Sequence, residues 1–348
     1  MTALLIASTG GHLTQLHRLR PRFRAFDPQD VVWVTFDTKQ SRSLLSDENV
    51  VYVKYTHPRD IRSAAVNFTR AIPIIRTGKY THAVSTGAAI AASFLPVAAS
   101  QGLSTHYIES ATRAQGPSVT GKLLRVIPRV NLYTQYPGLA SARWSYRGSV
   151  FDGYRIISAA RPVSVKKVVV SLGQIERYGF RRLIERLYKV LGSDVEVVWQ
   201  TGATDTRGLP IRAVKMMPAD DLRQAITDAD VVVTHAGTGS ALLALDCGKY
   251  PVLVPRRRDQ GEHIDDHQMQ IVGALGRKNL ALAREADELD WEDLIYAAHQ
   301  RAIVEAEPPT FKLNGEVPDN VPLMKPLSPA AEPTPPQAEK RSRNTHGG

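Results

Sequence analysis

The residues best suited to chemistry lie in four short stretches. Ser8-Thr9-Gly10-Gly11-His12 follows the apolar run Ala3–Ala7 and precedes leucines at helical spacing, Leu13, Leu16 and Leu19. Glycines let a backbone come close to a ligand, and a helix N-terminus offers free N–H groups and the positive end of its dipole. A phosphate suits such a turn, but an ordinary strand-to-helix connection capped by His12 would read the same. The second stretch, THAGTGS at Thr234–Ser240, is the turn of a complete strand–loop–helix–strand unit, Val231–Arg257. Gly248 closes its helix and Pro251 opens its next strand. The spacing is not the G-x-G-x-x-G of dinucleotide enzymes, and no acidic residue stands about 20 positions on in the required place. A diphosphate cradle of His235, Ala236, Gly237, Thr238 and Gly239, with a hydroxyl from Ser240, is one reading. A tight structural turn is the other.

The third stretch, Arg256 to Gln268, starts where a strand ends at its carboxyl edge, the ligand-binding edge of open α/β sheets. Arg256, Glu262, His267 and Gln268 mix donors and acceptors suited to sugar hydroxyls. His263 and His267 have chelating spacing on a helix, but the flanking loop brings no further ligand set, so sugar or ribose recognition ranks above a metal. No metal and no cofactor is expected. The fourth stretch, Tyr107–Arg113, ends a strand with Glu109 facing the same cleft, as a reacting carboxylate or as a structural partner of Arg113.

The elements that must position these residues alternate throughout. Apolar β-branched runs are separated by helical stretches, which predicts α/β architecture with parallel sheets. The runs are Ala3–Ala7, Val31–Thr35, Val50–Val53, Ala83–Ser85, His106–Ile108 and Asn131–Thr134, then Lys167–Leu172, Val195–Trp199, Ala213–Met216, Asp230–Thr234 and Val252–Val254. Between them the pattern lapses at Gly148–Pro162, which reads as a linker. Each half opens with a strand followed by a glycine loop, so two Rossmann-like domains are expected, residues 1–155 and 156–305. Leu289–Ile303 is the last helical candidate. Nine prolines between Pro308 and Pro336 and the ending EKRSRNTHGG predict a disordered tail over 306–348.

Composition narrows the class. The 348 residues are 43% hydrophobic and 22% charged, values of a folded globular chain. A single cysteine, Cys247, excludes an internal disulfide and fits a reducing compartment. The longest apolar run, Ala88–Ala99, contains Pro96 and is too short to span a bilayer. Residues 1–150 carry 18 Lys and Arg against 7 Asp and Glu, whereas the remainder carries 26 against 27. A field concentrated in one half attracts anionic partners: nucleic acid, acidic lipid or a diphosphate. Nucleic-acid binding would call for aromatic residues interleaved with the basic ones in a recognisable module, and none is present.

Eight segments in order carry a resemblance over about residues 1–285. STGGHLTQL, VSTGAAIA (Val84–Ala91), YIESATR with PSVTGKLL (Pro117–Leu124), and LYTQYPG (Leu132–Gly138) resemble the membrane-anchoring subunit of the dolichol-pathway GlcNAc transferase and its bacterial exopolysaccharide relatives. VVVSLGQ, THAGTGSALLAL, PVLVPRR and GEHIDDHQ resemble the donor-binding subunit, and the C-terminal domain of the bacterial lipid II-forming GlcNAc transferase. The resemblance implies a GT-B fold, a UDP-sugar donor, an acceptor carrying a polyprenyl diphosphate, and inversion without a bound metal. It adds Gly173 and Gln174 to the donor residues, and Gly10, Gly11, Thr86, Gly87 and Arg113 on the acceptor side. His12 becomes the leading base, because an imidazole titrates near neutrality, with Glu109 its rival.

Two departures follow. The peptidoglycan enzyme has a ribose-binding glutamate on the helix after its glycine loop, where this chain reads Ala241-Leu242-Leu243, so Glu262 or Gln268 must serve. The anchoring subunit's N-terminal membrane helix has no counterpart here. With both halves in one chain, no obligatory second subunit is expected. The implied location is cytoplasmic, peripheral on the inner face of the membrane. Arg18, Arg20, Arg22 and Arg24, then Arg59, Arg62, Arg70, Arg76, Lys79, Lys122, Arg125 and Arg129, are the expected contacts to an anionic surface, with shallow insertion by Phe23, Phe26, Phe94 and Leu95. A UDP-sugar epimerase or hydrolase of the same fold, or a non-enzymatic nucleotide-sugar-binding protein, are the alternatives.

Overall fold

The structure, a computed structural model, describes residues 2–57, 60–160, 164–173, 178–263 and 267–313, without the side chains of Ile61 and His267. The first half alternates strictly: β1 (Thr2–Ala7), α1 (Gly11–Leu19), β2 (Val31–Phe36), α2 (Lys39–Leu44), β3 (Val50–Val53), α3 (Ile61–Thr77), β4 (Tyr80–Gly87), α4 (Ala89–Ser100), β5 (Ser104–Ile108), α5 (Val119–Leu124), β6 (Val130–Thr134) and β7 (Trp144–Tyr146). The strands form one parallel sheet in the order β3-β2-β1-β4-β5-β6-β7. The order reverses beside β1, so the turn after β1 opens at the switch point where such sheets bind ligands. Helix α4 is apolar nearly all round and is correspondingly buried, lying between α3 and α5.

The second half continues with β8 (Tyr154–Ser158), β9 (Lys167–Ser171), α6 (Arg181–Val190), β10 (Glu196–Gln200), β11 (Ala213–Val214), α7 (Ala219–Asp228), β12 (Val231–His235), α8 (Thr238–Asp246), β13 (Val252–Val254), α9 (His267–Arg277), β14 (Leu282–Ala283), α10 (Trp291–Ala298) and β15 (Gln300–Val304). Its parallel sheet runs β11-β10-β9-β12-β13-β14, again with the reversal beside its first strand. Among the described residues no helix is long and apolar enough to cross a membrane.

Three expectations are corrected. The stretch taken as a linker contains β8, which pairs antiparallel with β15, from Gln300 opposite Ser158 to Val304 opposite Tyr154. The helix expected to reach Ile303 stops at Ala298, because Gln300–Val304 supplies that partner strand. The tail does not begin at 306 as disorder. Phe311 and Leu313 are buried, the Phe311 N–H donates to the Arg22 carbonyl, and Arg22 Nε donates to the Pro309 carbonyl at 2.7 Å. Two apolar side chains in a proline-rich stretch suffice to fasten it.

The arginines at the end of α1 do not form one exposed patch. Arg22 is buried, Arg20 pairs with Glu48, and Arg18 pairs with Asp246. Phe23, Phe26, Phe94 and Leu95 are all core residues. Only Arg24 of the four arginines is exposed, while Arg59 lies outside the described residues.

Candidate functional site

The acceptor-side residues converge at the carboxyl ends of β1, β4 and β5. Helices α1 and α4 both start without a side-chain cap, on Gly10 (φ 89°) and Ala88 (φ 64°, preceded by Gly87 at 119°). By contrast α2, α3, α5 and α10 are capped by Thr38, Asp60, Ser118 and Asp290. Uncapped first turns can offer N–H groups to an anion, although in α1 the Gly10 N–H donates to Gln40 Oε1 (2.6 Å) and the Leu13 N–H to the Ser8 carbonyl (3.1 Å).

His12 sits between these two turns. Its Nδ1–H donates to the Thr86 carbonyl at 2.7 Å, and Thr86 Oγ1 returns a bond to the His12 carbonyl at 2.7 Å. Desolvation holds the imidazole below its ordinary pKa, against the opposing pull of the Thr86 bond and the Glu109 charge. The ring is therefore neutral near pH 7, with Nε2 carrying the lone pair. That is the form a general base needs. Gly87 is required beside it: a Cβ there would lie 3.2 Å from both His12 Cε1 and the Tyr107 hydroxyl.

Glu109 is placed differently from a rival base. Its Oε1 accepts from the Tyr107 hydroxyl (3.1 Å) and the Ser110 N–H (3.0 Å), and its Oε2 from the Ser118 N–H (2.8 Å) and hydroxyl (3.0 Å). All four lone-pair directions are engaged, so Glu109 fastens the start of α5 and tunes His12 from a distance. Its expected partner Arg113 is half-buried and, among the described residues, makes no side-chain ion pair. Tyr107 and Gln15 were not singled out from the sequence. Gln15, buried in α1, donates to Ser110 Oγ (3.1 Å) and accepts from the Ala111 N–H (2.8 Å), so α1 carries the 109–113 loop as well as His12. A polar residue on the apolar stripe Leu13, Leu16, Leu19 was the available signal.

On the donor side, α8 begins at Thr238 with Gly237 as an N-cap that supplies no side chain. The Gly237 N–H turns back to the His235 carbonyl at 2.7 Å. The buried His235 ring fills the space between two glycine loops: a Cβ on Gly173 would be 2.5 Å from its Cε1, and one on Gly237 2.5 Å from its Nε2. Gly239 is open, Ser240 is half-exposed, Ala236 is buried, and Thr238 Oγ1 is buried without a partner.

Arg256 is fully buried after β13, lies over the Phe180 ring and donates Nη2 to the Leu172 carbonyl at 2.7 Å; among the described residues Nε and Nη1 have no hydrogen-bond partner. Burial pushes its pKa down to about 10. Gln268, also buried, accepts from the Arg256 N–H at 2.9 Å. Glu262 is occupied by Arg182 on both oxygens (3.1 Å each) and by the Arg257 N–H (3.0 Å). Gln174 and the His267 side chain lie outside the described residues.

A cavity of about 380 Å3 opens on the α6 side of this edge, lined by Arg181, Arg182, Asp205, Gln260 and Glu262. The turn Gly237–Ser240 does not line it, and its charged side chains are already in ion pairs, Arg182 with Glu262, Arg181 with Glu185 and Asp205 with Arg207. Among the described residues no three His, Cys, Asp or Glu side chains gather as a metal site.

Two parallel-sheet domains with glycine turns at both switch points define the GT-B class, and comparison with solved structures agrees. MurG of Acinetobacter baumannii is similar with a TM-score of 0.54 and 16% identity, over 85% of this chain and 88% of that one. A UDP-N-acetylglucosamine 2-epimerase is equally similar in fold, TM-score 0.54 at 9% identity over 86% of each chain. Residues 176–297 match the glycosyltransferase family 28 C-terminal domain, a stretch that includes α8. The UDP-N-acetylglucosamine transferase subunit ALG13 of Yarrowia lipolytica is 39% identical over 71 residues, 20% of this chain and 34% of that protein. The chain thus spans about a third of the length of that curated relative.

Proposed function

We propose that this protein is an inverting glycosyltransferase that moves a sugar from a UDP-sugar to an acceptor carried on a polyprenyl diphosphate. The observation that carries the reading is the division of labour between the halves. A neutral imidazole with a free Nε2 stands between two uncapped helix N-termini on one side. On the other, the stretch that matches family 28 presents the glycine turn before α8, which like α6 and α7 lacks a side-chain cap and follows β12 beside the switch point. The donor diphosphate rests on Gly237–Ser240, where free N–H groups and the helix dipole offset the charge that develops on UDP. Gly173 faces the same turn across the His235 ring, and in this reading Gln174, Arg256 and Gln268 are further donor contacts. The acceptor diphosphate lies at Gly10, Gly11, Thr86 and Gly87, with Arg113 at its edge. His12 Nε2 takes the proton of the attacking hydroxyl as the new bond forms and UDP leaves.

An anionic membrane surface completes the reading. The outward face of α3 carries Val66, Phe68 and Ile72 with Arg62, Arg70 and Arg76, and α5 with its following turn carries Val119, Leu123 and Val126 with Lys122, Arg125 and Arg129, all exposed. Neither stretch contains an acidic residue, and both helices pack on α4. Basic and apolar residues interleaved in this way suit acidic headgroups above an apolar interior.

Calorimetry with UDP, then turnover with a panel of UDP-sugars, tests the donor half. UDP binding with transfer to a lipid fraction supports the reading. Epimerisation of the free UDP-sugar, the activity named in one structural neighbour, would replace it.

A further inference from the structure

The two half-sites ride on two helices that touch. One buried cluster holds Leu13 and Leu16 of α1 together with Ala241, Leu242 and Leu245 of α8. Helix α1 carries the acceptor side as a block, through His12 on Thr86 and Gln15 on Ser110 and Ala111. Helix α8 carries the turn at Gly237–Ser240. Each helix is nine residues long, so its reactive first turn stands roughly 13 Å from its last.

At the far end the helices are joined by one buried carboxylate. Asp246, the last residue of α8, is 5% exposed. Its Oδ2 accepts from Arg18 Nη2 in the last turn of α1, and its Oδ1 accepts from the Tyr154 hydroxyl of β8 at 2.5 Å. The charge of Arg223, from α7, also acts on it. A buried carboxylate with two donors from different elements has one low-energy geometry, since losing either donor leaves charge unpaired in a poor solvent.

We propose that Asp246 is a positioning residue: with Arg18 and Tyr154 it pins α1 against α8 and thereby fixes the base-bearing turn relative to the leaving-group turn. The pin touches no substrate. It acts on the alignment of the attacking oxygen with the sugar carbon, where a displacement of about 1 Å costs roughly 100-fold in rate. The proposal rests on the transferase reading for its kinetic consequence, but not for its structural one.

Three full-length variants test it: Asp246→Asn, the exchange Arg18→Asp with Asp246→Arg, and Tyr154→Phe, which keeps the ion pair. Asp246→Asn is expected to lower kcat roughly 10- to 100-fold while UDP affinity, measured by calorimetry, stays within about 3-fold, because each half remains intact. The exchange should recover most of the lost kcat, and Tyr154→Phe should show a smaller loss of the same kind, which serves if Asp246→Asn does not fold. Spin labels on cysteines placed at the exposed Asp47 and Asp220, with Cys247→Ser, should show a broader inter-domain distance distribution in Asp246→Asn. An unchanged distribution, or a fall in UDP affinity matching the fall in kcat, overturns the pin. Broadening in a protein whose wild type transfers no sugar leaves the pin standing and removes the transferase reading instead.

Discussion

Substituting the two glycines of the α8 turn separates ligand approach from folding. At Gly239, the second residue of α8, a Cβ meets nothing within 4 Å. Alanine is favoured over glycine inside a helix by up to about 1 kcal/mol, so Gly239→Ala should leave stability unchanged or raise it by that amount. Under the proposed donor assignment the same methyl would stand where a phosphate oxygen approaches the first-turn N–H groups. Excluding it should cost UDP at least about 1.4 kcal/mol, a tenfold rise in Kd. Gly237→Ala behaves differently. Its Cβ would lie 2.5 Å from His235 Nε2, so the buried ring has to shift to accept it. Overpacking of this kind costs about 1–3 kcal/mol, so Tm falls along with UDP affinity. Thermal melts and calorimetry on the same preparations read both quantities. Gly239→Ala that binds UDP as tightly as the wild type would refute the diphosphate assignment, and Gly237→Ala with an unchanged Tm would refute the packing around His235.

His12→Ala should lower kcat roughly 10²–10⁴-fold with a much smaller effect on donor binding. Because burial depresses the His12 pKa, its neutral form persists to lower pH than in a free imidazole. Wild-type kcat/KM should therefore fall with acid only below the ordinary value of 6.5, and a limb at or above it, or one surviving in His12→Ala, contradicts the assignment. Activity should survive EDTA, since the α8 turn supplies the positive potential and no Asp-x-Asp pair ends a strand; complete loss restored by Mn2+ or Mg2+ would reverse this. Val119→Ser, Leu123→Ser and Val126→Ser together should weaken sedimentation with phosphatidylglycerol-containing vesicles, and Arg24→Glu should not. The opposite ranking would move the membrane surface elsewhere.

The alternation of β-branched runs with helical stretches made both sheets legible, because parallel strands buried on both faces need continuous apolar sequence. β14 is two residues long and β7 three, too short to show a pattern, and β15 follows α10 so closely that apolar Ile303 extended the expected helix. Gly237 and Gly239 are equivalent in sequence, yet one lies against a buried ring and the other faces open space. Glu109 and Glu262 looked available for ligand because their partners Ser118, Tyr107 and Arg182 are set by tertiary packing, which spacing does not encode. The arginines at 18, 20 and 22 misled for the same reason: charge density in sequence does not distinguish an exposed patch from residues spent on Asp246, Glu48 and the Ser149 carbonyl.

Incubating the purified full-length protein with radiolabelled UDP-sugars and a membrane lipid extract tests the central claim most directly. Label moving into the organic phase, dependent on the protein and abolished in His12→Ala, is the predicted result. Label remaining in the aqueous phase as an isomerised UDP-sugar, as free sugar, or as unchanged donor would contradict the account.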